Sequence, residues 1–130
     1  MNVDTQDWVC SAEDDFRSAG ILLKHGGRKA PVNVVCFHCQ QCVEKYLKGR
    51  LEEARMTVPK IHNLVLLLEA VLPHEPLWES FRTSLAGLNN YAVHFRYPGH
   101  VATRADALEA LKICRSFRKD ARLALCLPPR

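Results

Sequence analysis

Apolar side chains recur at three- and four-residue steps along most of this chain, and nowhere does the two-residue alternation of a strand compete with them. From about Asp4 to His25, Trp8, Ala12, Phe16, Ala19 and Leu23 fall on one face of an amphipathic helix, which Gly26-Gly27 ends. A second helix is predicted from about Val32, just after Pro31, to about Ala54; Thr57-Val58-Pro59 closes it, because the residue before proline avoids helical angles. Asn63 is suited to cap a short, nearly all-apolar helix over Leu64 to Leu72, stopped by Pro73.

A fourth helix is expected from near Pro76, with Trp78, Phe81, Leu85, Leu88 and Ala92 on one side, before a break at Tyr97-Pro98-Gly99. Thr103-Arg-Ala-Asp106 has the form of a capping box and opens a last helix, predicted to run to about Leu127 ahead of Pro128-Pro129. The expected architecture is all-α: an up-and-down four- or five-helix bundle with short connections. At 130 residues, one domain spanning 1–130 is expected, since two cores would each bury too little.

The second helix contains CFHCQQCVEKYLK, with three cysteines and a histidine in seven residues. At about 100° per residue, Cys36, Cys39, Val43 and Tyr46 share one side, with Val35 and Cys42 at its edges. That is where a core belongs, and a buried thiol packs as a small hydrophobe. His38 points elsewhere and no second Cys-x-x-Cys is present, so no metal site and no cofactor is expected. The opposite side carries His38, Gln41, Lys45, Lys48 and Glu52 as a continuous polar stripe. It reads either as a solvated face or as lysines and amides turned toward a phosphate-bearing ligand or a partner helix.

Composition narrows the classes. Hydrophobic residues make up 48% and charged residues 25%, a mix that excludes disorder, and the longest apolar run, Leu64 to Leu68, excludes a membrane span. The start MNVDTQDWVC lacks a basic region followed by an apolar one, so a cytoplasmic protein with reduced thiols is expected despite six cysteines. The net charge of +4 permits an anionic partner. On the last helix Lys112, Arg115, Lys119 and Arg122 form a positive row that either is solvated or follows a phosphate backbone.

Three motifs carry a family resemblance: Phe37-His38-x-Gln40-Gln41-x-x-Glu44-Lys45-x-Leu47-Lys48, then Pro59-x-Ile61-His62-Asn63-Leu64, then Leu88-Asn89-x-Tyr91 followed by Arg96-Tyr97-Pro98. In this order, over nearly the whole chain, they resemble the HEPN (higher eukaryotes and prokaryotes nucleotide-binding) domain. The resemblance implies a helical bundle that pairs as a homodimer, often encoded beside a minimal nucleotidyltransferase in a toxin–antitoxin-like pair. It implies nucleotide or RNA-phosphate binding, for which Lys45, Lys48, Gln41, His38, Tyr91, Arg96 and Tyr97 are the candidate ligand-binding residues.

Some branches of the family are metal-independent ribonucleases with an arginine and a histidine separated by four to six residues. This chain departs from that pattern: Arg96-Tyr-Pro-Gly-His100 has three intervening residues, two of them proline and glycine. Arg55 and His62 fit the spacing but lie in the connection after the second helix. A ribonuclease alternative would therefore use Arg96 with His100 or His94 for charge stabilisation and proton transfer. A second alternative is a helical dimerisation module without ligand. His62 is expected to orient the helix that follows it.

Overall fold

Among the described residues five α-helices form, because the apolar faces read from the chain cover one another. The computed structural model describes residues 1–94, 98–99 and 101–129, and at 92–94 the backbone alone. The helices are α1 (Val3–Gly26), α2 (Val32–Glu53), α3 (Leu64–Val71), α4 (Arg82–His94) and α5 (Arg104–Ala124). The described residues contain no strand. Helix α2 is the central rod, packed mainly against α1 and α5 and also against α3 and α4.

The helix ends follow the local chemistry read from the chain. The Asn63 side chain accepts from the amides of Val65 and Leu66 at 3.0 and 3.2 Å. At α5 the Thr103 hydroxyl accepts from the Asp106 amide while the Asp106 carboxylate accepts from the Thr103 amide, a reciprocal capping box. Helices α2 and α5 both end on a non-glycine residue in the left-handed region, Arg55 at φ 59° and Cys126 at φ 60°. In each case the amide beyond it bonds back five residues, Met56 to Leu51 and Leu127 to Arg122, as in a Schellman motif. This stops α5 at Ala124, short of the predicted Leu127.

The predicted fourth helix is split. Pro76–Phe81 is a 3-10 stretch and α4 begins only at Arg82. A 3-10 turn has three residues, so Trp78 and Phe81 stand on the same side. Both rings meet Phe117 of α5 edge-on, at centroid distances of 5.0 and 5.1 Å. Such pairs add about 0.5–1.5 kcal/mol each beyond area burial.

The sulfur-rich side of α2 is core: Cys36, Cys39 and Cys42 are fully buried, as is Cys114 of α5. Burial, followed by the neighbouring Cys39, pushes the Cys36 thiol up to about 12. A hydrogen bond with Cys114 and then burial raise Cys39 further. Cys114 itself is lowered by its bond with Cys39, but its bond with Cys42 and its burial outweigh that. Cys36, Cys39 and Cys114 are therefore held as thiols at neutral pH and pack as small hydrophobes. Where α1 crosses α2, Gly49 allows close approach: a Cβ there would lie 3.2 Å from the Cβ of Trp8.

Phe117 is fully buried and receives both edge-on rings, so Phe117→Ala is expected to destabilise the fold by about 3–5 kcal/mol in urea denaturation. A loss below about 1 kcal/mol would show that the three-ring contact is not a core anchor.

Candidate functional site

Part of the polar stripe of α2 is turned toward α1. Asp15 of α1 is buried, and its two oxygens take His38 Nδ1 at 2.8 Å and Lys45 Nζ at 2.6 Å. Lys48 donates to the Glu44 carboxylate at 3.1 Å and lies 5.6 Å from the Trp8 ring centroid. With Lys48 only 6% exposed and Glu44 3%, this pair is internal, and the expectation of an outward Lys48 is corrected. A charge at that depth requires a partner, and Glu44 one turn away supplies it. Gln41 remains half-exposed and donates to the Gln40 side chain at 3.1 Å.

Gln40 and Glu44 of the first motif, His62 and Leu64 of the second and Asn89 of the third meet at the start of α3. The Gln40 amide donates to the His62 carbonyl at 2.9 Å, and His62 Nδ1 lies 3.0 Å from the Glu44 carboxylate. The Asn89 side chain accepts from the Leu64 amide at 3.1 Å. His62 thus holds the connection onto α2 as well as leading into α3. Tyr91 is half-buried, its hydroxyl held above the usual range first by burial and then by Asp106 and Glu109. Arg96, Tyr97 and His100 lie outside the described residues, as does the side chain of His94. Pro98 and Gly99 form a turn, with Gly99 at φ 89°.

A second polar network joins α1, α2 and α5. Arg118 grips Glu13 with two bonds, Nε to Oε2 at 2.7 Å and Nη2 to Oε1 at 2.6 Å. Tyr46 donates its hydroxyl proton to Glu13 at 2.6 Å and accepts from Arg122 at 3.1 Å. Arg122 also donates to the Pro128 carbonyl at 2.5 Å. It is buried, so the positive row expected on α5 loses its last member to the interior. Burial alone would raise the Glu13 carboxyl, but bonds from Arg118 and Tyr46 and the charges of Arg118 and Arg122 hold it below the usual range.

Lys112, Arg115 and Lys119 stay on the surface of α5, and none forms an ion pair with the described residues. Lys24 of α1 is also exposed and unpaired in the same sense. Between α1 and α5 lies a recess of about 580 Å³. Phe16 and Leu111 lie deeper in its lining than the half-exposed Ile21 and Leu108, and the exposed Arg17, Lys24, Arg104 and Arg115 make up its rim. Among the described residues, no carboxylate lines it. Nor does any group of three or more His, Cys, Asp or Glu side chains among them converge as metal ligands would.

The HEPN domain family model matches residues 5–123. The chain belongs to the HEPN family. No curated protein matches it. Among solved structures, the crystal structure of TT1696 from Thermus thermophilus is similar, with a TM-score of 0.76 at 25% sequence identity. The alignment covers 92% of this chain and 97% of that one. Within this HEPN bundle the family-like residues Gln40, Glu44, His62 and Asn89 are tied to one another or to backbone, whereas Lys24 of α1 and Lys112, Arg115 and Lys119 of α5 are exposed with no ion pair among the described residues. Among the described residues, no helix is long and apolar enough to cross a membrane.

Because the Glu13 carboxyl is held below its ordinary value of 4.5, its stabilising contribution is complete above that value. It is lost as pH falls through the lowered folded value. Glu13→Gln is expected to lose about 3 kcal/mol at neutral pH and to show a shallower fall in stability on acidification, in urea titrations at several pH values. Parallel acid profiles for the two proteins would remove Glu13 from the acid response.

Proposed function

We propose that this HEPN protein binds the phosphates of RNA or a nucleotide along the α1–α5 side of its bundle. We further propose that it does so as a homodimer working beside a separately encoded minimal nucleotidyltransferase, in a toxin–antitoxin-like pair. The observation that carries the binding reading is the distribution of cations. Lys45 and Lys48 are each neutralised by a carboxylate, Asp15 and Glu44, so a phosphate approaching them would compete with an existing pair. Lys24, Lys112, Arg115 and Lys119 are exposed with no such competitor among the described residues, and lie along neighbouring helices.

Spacing supports the same reading. Lys112, Arg115 and Lys119 recur at three and four residues, so their heads align along α5. Asp106 is occupied with the helix cap, Glu109 stands one turn before Lys112 but forms no ion pair with it among the described residues, and Asp120 falls on the next strip round the helix. A row of cations of this kind binds a phosphate backbone by releasing its counterions and carries no sequence preference of its own. Family membership supports the dimer and the partner. Val34 and Phe37, one turn apart and partly exposed on α2, add apolar surface that a second copy would cover.

Four phosphate contacts on a single strand predict that log Kobs falls against log salt with a slope of about −3. Lys112→Ala with Lys119→Ala should flatten that slope by roughly 1.4 in fluorescence anisotropy. An RNA affinity indifferent to salt would refute the reading. Light scattering should return twice 14.8 kDa at micromolar concentration; the monomer mass would remove the dimer.

A further inference from the structure

We infer that the recess between α1 and α5 receives an unpaired nucleobase whose flanking phosphates lie on the cationic rim. The inference rests on the phosphate-binding reading and adds what a bare backbone row cannot explain. Ile21 is 56% exposed and Leu108 51%, and both line the recess beside Arg17, Lys24, Arg104 and Arg115. A duplex presents charge and sugar there, with its base faces stacked inside, so it would desolvate these two side chains without covering them by apolar surface. An unpaired nucleotide presents both an apolar face and an anion.

The shape of the recess selects the same ligand. At the end near the start of α5, Arg104 Nη1 donates to the Gly27 carbonyl at 3.1 Å, linking α5 to the segment that follows α1. Toward the other end, Arg118 grips Glu13 and its guanidinium stands 4.3 Å from the Phe16 ring centroid. Contacts from α5 thus reach α1 or the segment after it near both ends of the trough, which marks it as a short recess rather than a continuous groove for a rod such as a partner's acidic helix. Its volume of about 580 Å³ is that of a small-ligand pocket, in the range of roughly 300–1,000 Å³. Arg17 is held only by the exposed Asp14 among the described residues, at 2.8 Å, an ion pair weak enough in water for a phosphate to displace.

The test is fluorescence anisotropy with four labelled probes at one salt concentration. These are a single-stranded RNA decamer, the same sequence as a duplex, an abasic decamer with the same phosphates, and a Glu-rich amphipathic peptide. The single strand is expected to bind at least about 10-fold tighter than the duplex or the abasic strand, the factor that one stacked base supplies. Ile21→Ser with Leu108→Ser should reduce single-strand affinity to that of the abasic strand while leaving the abasic affinity unchanged. Both side chains are half-exposed, and an unchanged circular dichroism spectrum confirms that the variant is folded.

Equal binding of single strand, duplex and abasic strand overturns the base recess and leaves phosphate binding intact. Absence of binding to every nucleic acid overturns both. Tighter binding of the peptide than of the single strand overturns the inference in favour of a protein partner. Displacement of the decamer by a nucleoside monophosphate, but not by ribose phosphate, supports the recess and identifies a free nucleotide as a sufficient ligand; displacement by neither confines the ligand to the polymer.

Discussion

The bidentate bond between Glu13 and Arg118 joins the first helix to the last, and the arrangement of the α1–α5 face depends on it. Helices α1 and α5 share few direct contacts and are chiefly held by packing on α2 from different sides. Their separation is therefore set where a polar bridge crosses it. Tyr46 extends the bridge to α2, and Arg122 carries it to the chain beyond α5. A single carboxylate thus fixes three helices and a terminal segment, while the apolar trough remains open beyond its reach. Removing either member would leave a partly buried charge unmatched, a larger loss than that of a surface ion pair.

The same rule assigns the remaining charges. A cation packed into a bundle must meet a carboxylate, and the cations of α2, the most enclosed helix, meet three: Asp15 for Lys45, Glu44 for Lys48 and Glu75 for Arg50. Among the described residues every buried side-chain nitrogen and oxygen has a hydrogen-bond partner. Cations in the interior are thereby committed to structure. Those on the outer strip of α5 are not, because solvent already screens them and no carboxylate is needed. Function that depends on attracting an anion is best placed where the fold makes no prior claim on positive charge.

Much of this is legible in the chain. The caps at Asn63 and Thr103, the inward cysteines and the helical periodicity are local patterns, and local chemistry decides them. The depth of a side chain is not local. Nothing local in the sequence tells Asp14 from Asp15, yet Asp15 turns inward to meet two partners on α2 while Phe16 stays partly outside against Arg118. Only the meeting of two helices reveals that Lys48 and Arg122 are buried, since both sit in charged rows that look like surfaces. The 3-10 stretch is hidden for another reason: Trp78 and Phe81, three apart, fit either helical period, and the single ring of Phe117 that draws both lies far along the chain.

Family signatures are often read as functional sites, but here the HEPN motifs show a different division of labour. Gln40 and Glu44 bind the connection at His62, and Asn89 satisfies an amide at the opening of α3, leaving Leu64 packed inside. These residues meet because a chain that returns to α2 must satisfy its exposed backbone groups there. Their role in the described bundle is to close it. The groove side, by contrast, is built from residues with few structural ties: truncating Ile21 or Leu108 exposes no core, and Lys112 and Lys119 hold no ion-pair partner among the described residues. Freedom from packing leaves such a surface available for other contacts, whereas Gln40, Glu44, His62 and Asn89 are committed to holding the bundle together.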